Sequence, residues 1–115
     1  MLGDYSFGKN HRVLTETEYR RVKTRGQKRT SRSFILIQHE NDLDEKRIGI
    51  IVTRKVAKAS IRNLWKRYIK EFFRLNKKSF PASTDSVFIV KRGSLIPKSF
   101  ESISDELGAL LLKGK

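Results

Sequence analysis

The residues of this sequence with the clearest chemical potential are cations that recur every fourth position near the middle of the chain. They are Arg62, Lys66, Lys70 and Arg74, with Arg67 beside them and Glu71 as the one acid that interrupts them. In an α-helix, this spacing places side chains along one side, where like charges repel by roughly 0.2–0.5 kcal/mol per pair. The spacing therefore predicts a helix whose cationic side is stabilised by an external anion.

A second group of cations directly precedes this helix. Arg54, Lys55 and Lys58 occupy the connection, close to a helix N-terminus whose backbone N–H groups attract phosphate. Asn63 adds a side chain able to form directional hydrogen bonds. A solvated, functionless face is the usual explanation of a charge run. Here the cations along one side of the helix coincide with a cationic connection before it and with a strongly positive whole chain. This coincidence favours a nucleic-acid interface instead.

The net charge of the whole chain further narrows the class of partner that it can bind. The 115 residues include 26 Lys and Arg against 12 Asp and Glu, a net charge of +14 at pH 7. Self-repulsion of this size predicts a free chain less stable than its complex with a polyanion. A membrane is disfavoured, because no apolar run approaches a transmembrane length and no signal-peptide hydrophobic region follows the N-terminus.

Catalytic and metal-binding constellations do not emerge from the sequence. There is no cysteine, which fits a reducing interior, and we expect the cytoplasm. His11 and His39 lack the spacing of metal ligands. No Ser/His/Asp constellation or phosphate loop is recognisable, so we predict no catalytic residue and no cofactor held by the chain itself.

Hydrophobic periodicity predicts one α+β domain over residues 1–115, with about four strands and three helices. A capping box at residues 15–18 opens a first helix that ends at Gly26, and residues 60–75 form the clearest helix. Ser99 or Ser102 caps a last helix. Strands are expected at 33–39, 46–53 and 86–90, the first two as an antiparallel hairpin around an acidic turn. A further short strand is left open.

Alternation along the first two strands predicts a sheet with two different faces. Inward positions are Phe34, Leu36, Ile48, Ile50 and Val52. Outward positions are Ile35, Ile37, Gly49, Ile51 and Thr53, which would leave an open apolar surface. The aromatic side chains of the long helix, Trp65, Tyr68 and Phe72, share its apolar stripe and are expected in the core.

The order of residues from Arg54 to Arg74 resembles the signature of the bacterial ribonuclease P protein family, in which two cations and a small-residue turn precede Arg-Asn-Arg and then Lys-Arg. Similar blocks occur at 11–14, 18–19, 26, 31–34, 48–50 and 85–93. The chain departs from the family pattern at Lys23, Ile37, Ala57, Lys58, Leu64 and Lys70. Leu64 replaces the third residue of Arg-Asn-Arg, while Lys23 and Ile37 replace aromatic residues.

The resemblance implies a two-layer fold like a ribosomal-protein domain, with a left-handed crossover between parallel strands and an extended segment at 1–12. It implies an RNA-binding subunit of an endoribonuclease that removes the 5′ leader of precursor tRNA, with magnesium used by the catalytic RNA. The implied partners are ribonuclease P RNA and precursor tRNA, with no membrane and no obligate protein partner.

The same resemblance assigns residues to two sites. The catalytic RNA would be bound by Arg54, Lys55, Lys58, Arg62, Asn63, Lys66, Arg67 and Lys70. The precursor-tRNA leader would lie in a cleft formed by Tyr19, Lys23, Ile35, Ile37 and Ile51. Two alternatives remain at this stage, a ribosomal or other structural RNA-binding protein and a DNA-binding regulator. The latter is disfavoured because no helix-turn-helix pair is apparent.

Overall fold

The computed structural model describes residues 16–52, 58–91, 97 and 99–112. The segment 1–12 therefore lies outside the described residues. Three helices and four strands follow one another as α1 Glu16–Arg25, β1 Gln27–Thr30, β2 Phe34–Glu40, β3 Arg47–Ile51, α2 Ala59–Leu75, β4 Thr84–Val90 and α3 Phe100–Leu112, with one 3-10 turn at Lys77–Ser79. The predicted α+β class, the three helices and the three expected strands are confirmed.

The sheet has the strand order β1-β2-β4-β3. β4 pairs antiparallel with β2 and parallel with β3. The expected antiparallel hairpin between residues 33–39 and 46–53 is therefore wrong, because β4 lies between these two strands. β4 is buried along almost its whole length, and a strand that buries both faces is stable at the centre of a sheet rather than at its edge.

The real hairpin joins β1 to β2, with Thr30 opposite Ile35. β1 has the sequence QKRT and is mostly exposed. It is an edge strand rich in charge, as edges that resist aggregation often are. Such a strand has no hydrophobic alternation. The sequence therefore predicts about four strands but gives no position for the fourth.

The main core lies between one face of the sheet and the helices α2 and α3. Phe34, Leu36 and Ile48 point from the sheet into this core, as expected, and Phe88 of β4 joins them. Trp65 meets Phe34 edge to face, with ring centroids 5.4 Å apart. The aromatic stripe of α2 is thus used for packing, a geometry favoured for aromatic pairs.

Helix α3 is anchored at both of its ends. The Ser99 hydroxyl accepts a hydrogen bond from the Ser102 backbone N–H at 3.1 Å, so Ser99 is the cap. Glu106 accepts hydrogen bonds from the Ser31 hydroxyl and, at 2.7 Å, from the Ser33 backbone N–H. The Arg29 guanidinium donates to the Leu111 carbonyl at 3.0 Å. α3 therefore holds the β1–β2 hairpin against the main core.

Helix α1 covers part of the other face of the sheet. Val22 packs on Ile37 and Val87, which are aligned neighbours on β2 and β4. At the C-terminal end of the helix, Gly26 approaches β2 so closely that an added Cβ would lie 2.7 Å from the Gln38 carbonyl oxygen. The helix thus lies in contact with the sheet, and glycine is required where the two backbones meet.

A buried ionic cluster fixes the opposite end of α1. The Arg47 guanidinium on β3 forms a bidentate pair with Asp85 on β4, at 2.8 and 2.9 Å, and also contacts the Glu18 carboxylate of α1. The Asn41 amide donates to Asp85 at 2.8 Å. The carboxylate of Asp85 raises the pKa of Arg47 above its ordinary value by hydrogen bonding. The cluster therefore joins α1 to two strands at a buried position.

Gly26→Ala is expected to destabilise the fold by about 1–3 kcal/mol, since the new methyl group would meet backbone atoms that cannot rotate away. Gly108→Ala is the matched control, because a Cβ at Gly108 has no heavy atom within 4 Å and α3 gains helix propensity of about 0.5–1 kcal/mol. Urea unfolding at fixed salt measures both. Equal midpoints for the two variants would contradict the close approach of α1 to β2.

Candidate nucleic-acid interface

The N-terminus of α2 carries features that favour an anion. Its N-cap residue, Lys58, makes no side-chain capping bond, and no acidic residue lies in the first turn. Uncapped N–H groups and the positive end of the helix dipole are therefore not neutralised by acids of the helix itself. Lys58 is exposed at this end. The arrangement matches the phosphate-attracting helix start that the sequence predicts.

The predicted cations of α2 lie on one side of the helix. The cations flank the buried apolar face of the helix, which consists of Trp65, Ile69, Phe72 and Phe73. Of the predicted RNA-binding residues, Lys58, Asn63 and Arg67 are exposed, and Arg62, Lys66 and Lys70 are half-buried. Half-burial of a long cationic side chain leaves its charged end available while its stem covers apolar surface. Arg54 and Lys55 lie outside the described residues.

Glu71 compensates one cation near the C-terminal end of α2. The Arg74 guanidinium donates two hydrogen bonds to this carboxylate, at 3.0 and 2.6 Å. These bonds, and the charges of Arg74 and Arg67, lower the pKa of Glu71. The acid that interrupts the stripe in the sequence is thus an ion-pair partner of Arg74. The cationic stripe of α2 is defined here as Lys58, Arg62, Lys66, Arg67 and Lys70.

The second face of the sheet is organised in rows that run across β2, β4 and β3. The first row is Ile35, Ile89 and Ile51, the second is Ile37, Val87 and Gly49, and the third is His39, Asp85 and Arg47. α1 covers the second row through Val22. The residues of the first row are only partly buried, so an apolar strip, defined as Ile35, Ile89 and Ile51, remains accessible beside α1.

This arrangement corrects one of the predicted cleft residues. Ile37 points to the same face as Ile35, as expected, but only 3% of it is exposed because α1 packs on it. Ile37 therefore does not contribute to an open surface. Ile89, which is not among the predicted cleft residues, takes its place in the accessible row. The sequence signal that could have found Ile89 is the alternation of side chains along β4. This signal is hidden because β4 is apolar on both faces.

Tyr19 and Lys23 are one helical turn apart and therefore lie on the same side of α1. Tyr19 packs partly against the apolar residues of this face, and burial raises the pKa of its phenol. The hydroxyl therefore stays protonated, and able to donate a hydrogen bond, at any physiological pH. Lys23 is exposed. Tyr19, Lys23 and the apolar strip together provide a surface with an aromatic edge, apolar floor and nearby cation.

Within the described parts of the chain, no three His, Cys, Asp or Glu side chains are grouped as metal ligands would be. None of the helices there has the length and apolar character needed to cross a membrane.

Comparison with known proteins decides the family. The family model for Ribonuclease P matches residues 7–115. The ribonuclease P protein component of Syntrophus aciditrophicus (strain SB) is 40% identical over 105 residues, which are 91% of this chain and 87% of that protein. The chain belongs to the ribonuclease P protein family. The corresponding protein of Petrotoga mobilis is 37% identical over 85% of this chain and 81% of its own length.

Solved structures of the family have the same fold. The ribonuclease P protein from Thermotoga maritima superposes with a TM-score of 0.80 at 28% identity, over 91% of this chain and 99% of that one. The Staphylococcus aureus protein gives a TM-score of 0.82 at 26% identity, over 93% and 97% of the two chains. As a ribonuclease P protein component, the chain is part of an endoribonuclease ribonucleoprotein of tRNA processing, in partnership with ribonuclease P RNA.

Replacing Arg62 and Lys66 by Ala is expected to weaken RNA binding and to flatten the slope of log affinity against log salt by about 0.7–0.9 per lost phosphate contact. The control is Lys28→Ala with Arg32→Ala, which removes two exposed cations from the β1–β2 hairpin. Titration of ribonuclease P RNA at several salt concentrations measures the slope. A slope equal to that of the control would remove the stripe from the interface.

Glu71→Gln is expected to strengthen RNA binding, because it removes a negative charge beside the stripe and the carboxylate that Arg74 contacts. The pKa of Glu71 is lowered from 4.5, so the acid stays ionised at mildly acidic pH. The difference between the two proteins should therefore be as large at pH about 5 as at neutral pH, and should shrink only below the pKa. A difference that disappears by pH about 5 would contradict the ion pair.

Proposed function

We propose that the chain binds the catalytic RNA of ribonuclease P through the stripe of α2 and the 5′ leader of precursor tRNA through the strip beside α1. In doing so it promotes endonucleolytic removal of the leader and gives the mature 5′ end of the tRNA. The single observation that carries this proposal is the stripe itself. The stripe places like charges next to one another, and it begins at a helix N-terminus that has no acid in its first turn. The chain that carries it belongs to the ribonuclease P family.

The stripe suits an RNA backbone for geometric reasons. Its arginines can bind phosphate oxygens with two parallel hydrogen bonds, whereas its lysines act as mobile point charges. Asn63 is exposed beside Arg62, where its amide can donate to a phosphate or a ribose hydroxyl. The N–H groups of the first turn extend the same positive region. Arg54 and Lys55, by resemblance to the family, belong to this contact as well.

The strip is suited to a single strand rather than a duplex. Unpaired bases expose faces that stack on aromatic and apolar side chains. Tyr19 provides an aromatic ring, the row of isoleucines provides an apolar floor, and Lys23 can pair with a phosphate. Contacts to base faces are sequence-tolerant, so such a surface can accept leaders of different sequence.

The contribution of the protein to the reaction is electrostatic. Two RNA molecules must approach each other closely, and each carries one negative charge per nucleotide. A protein with a net charge of +14 that contacts both of them lowers the cost of this approach and releases counterions. In this proposal the chemistry is left to the catalytic RNA, where bound magnesium ions would supply the activated water and the stabilisation of the leaving oxygen. The side chains described above bind and orient the substrate.

Reconstitution tests this proposal. The wild-type chain, added to a bacterial ribonuclease P RNA at low magnesium, is expected to restore cleavage of precursor tRNA at the correct 5′ position. The Arg62→Ala and Lys66→Ala variant should need a higher protein concentration, while the hairpin control should match the wild type. Binding to structured RNA without any gain in cleavage would indicate a structural RNA-binding protein instead, and equal affinity for duplex DNA would argue against RNA specificity.

A further inference from the structure

Helix α1 has a second cationic side that the interface described above does not use. Arg21 and Arg25 are one helical turn apart and both are exposed. They line an open groove of about 550 Å³ between α1 and the end of β2, together with Arg20, His39, Glu40 and Asp42. We refer to it as the α1 groove. It lies on the side of α1 opposite Tyr19 and Lys23.

Among the side chains that the structure describes, the acid of α1 nearest to Arg21 is Glu18. Glu18 is one turn before Val22 and binds Arg47 in the buried cluster, so its charge is already compensated. Arg21 and Arg25 are like charges at the spacing that destabilises a helix. The carboxylates of Glu40 and Asp42 across the groove offset part of this repulsion, and a bound anion would offset more of it.

The other wall is polar, acidic and held in place. The Asn41 side chain donates to Asp85 and to the Glu45 carbonyl, and accepts a hydrogen bond from the Leu43 backbone N–H, at 2.8–3.1 Å. These bonds fix the turn that carries Glu40 and Asp42. His39 lies beside them, and its Nδ1 is buried without a hydrogen-bond partner among the described residues. The wall is therefore formed before any ligand arrives.

A groove with cations on one wall and carboxylates on the other selects its ligand. A bare phosphate or an acidic peptide would be repelled by Glu40 and Asp42. A nucleotide strand carries groups that complement both walls of the groove. Its phosphates pair with arginine, and the exocyclic amino groups of its bases donate hydrogen bonds to carboxylates. These base edges are free only where the strand is unpaired. The lining therefore favours single-stranded RNA.

We propose that the α1 groove binds the upstream part of the precursor-tRNA leader, beyond the part that lies on the apolar strip. This inference rests on the proposed function of the strip. The strip lies on the sheet face that α2 does not cover, and α1 separates the strip from the groove. α1 is only about 10 Å across, so one strand that leaves the strip can pass over it and enter the groove.

The test uses the assembled ribonucleoprotein and two precursor tRNAs, one with a long leader and one whose leader is trimmed to the length that the strip can hold. The groove variant is Arg21→Ala with Arg25→Ala, and the hairpin variant Lys28→Ala with Arg32→Ala is the control of equal charge. The groove variant should bind the long leader about tenfold more weakly, the equivalent of one charge-assisted hydrogen bond. The short leader should bind both variants equally.

Three other results would overturn the assignment. They are a groove variant that matches the control on the long leader, an equal loss on both leaders, and a loss of affinity for the catalytic RNA alone. Urea unfolding of the two variants shows whether either is misfolded. Failure of the proposed function would give a different result. In that case the wild-type chain itself would not restore cleavage, and trimming the leader would change nothing.

Discussion

The position of α1 on the sheet depends on the contact of Arg47 with Asp85 and Glu18. All three charges are buried or half-buried, and Asp85 also accepts a hydrogen bond from Asn41. Removing one partner from such a group leaves an uncompensated charge and costs about 3–5 kcal/mol. Apolar packing of Val22 alone would hold α1 against the sheet without fixing its direction. The ionic cluster and the close approach at Gly26 fix both ends of the helix.

A fixed α1 divides one sheet face into two surfaces of different chemistry. On one side lie the isoleucines of β2, β4 and β3, and on the other lie arginines opposite carboxylates. The other sheet face is fully used by the core under α2 and α3. The cationic stripe of α2 flanks the buried side of that helix, and its members are exposed or half-buried at the surface. In α1 and α2, one side of the helix is thus used for burial and another is left for binding.

The sequence predicted the helices and the cationic stripe because both depend on local spacing. α2 shows a period of three and four over its whole length, and the cations share that period, so burial of Trp65 and Ile69 leaves Arg62 and Lys66 at the surface. The pairing of strands was not predictable in this way. β2 and β3 are close in sequence, yet each binds β4, and the preference arises from the burial of β4 on both faces.

The error at Ile37 and the omission of Ile89 have the same origin. Alternation assigns a side chain to a face of the sheet but does not show which part of that face a helix covers. The ionic cluster was missed because Glu18, Arg47 and Asp85 are far apart in the sequence and each looks like an ordinary surface charge. The register of β3 against β4 brings Arg47 and Asp85 together, and the packing of α1 on the sheet adds Glu18.

The central position of β4 has a consequence for synthesis of the chain. β2 and β3 have no hydrogen-bonded edge in common. In a growing chain that ends before residue 84, the strand pairing available among the described strands is therefore the β1–β2 hairpin, and β3 is unpaired. The anchoring of that hairpin by Glu106 comes later still. Contacts between such distant segments form slowly and late. The basic stripe is therefore made, and exposed to any RNA near the ribosome, before the domain that orients it can close.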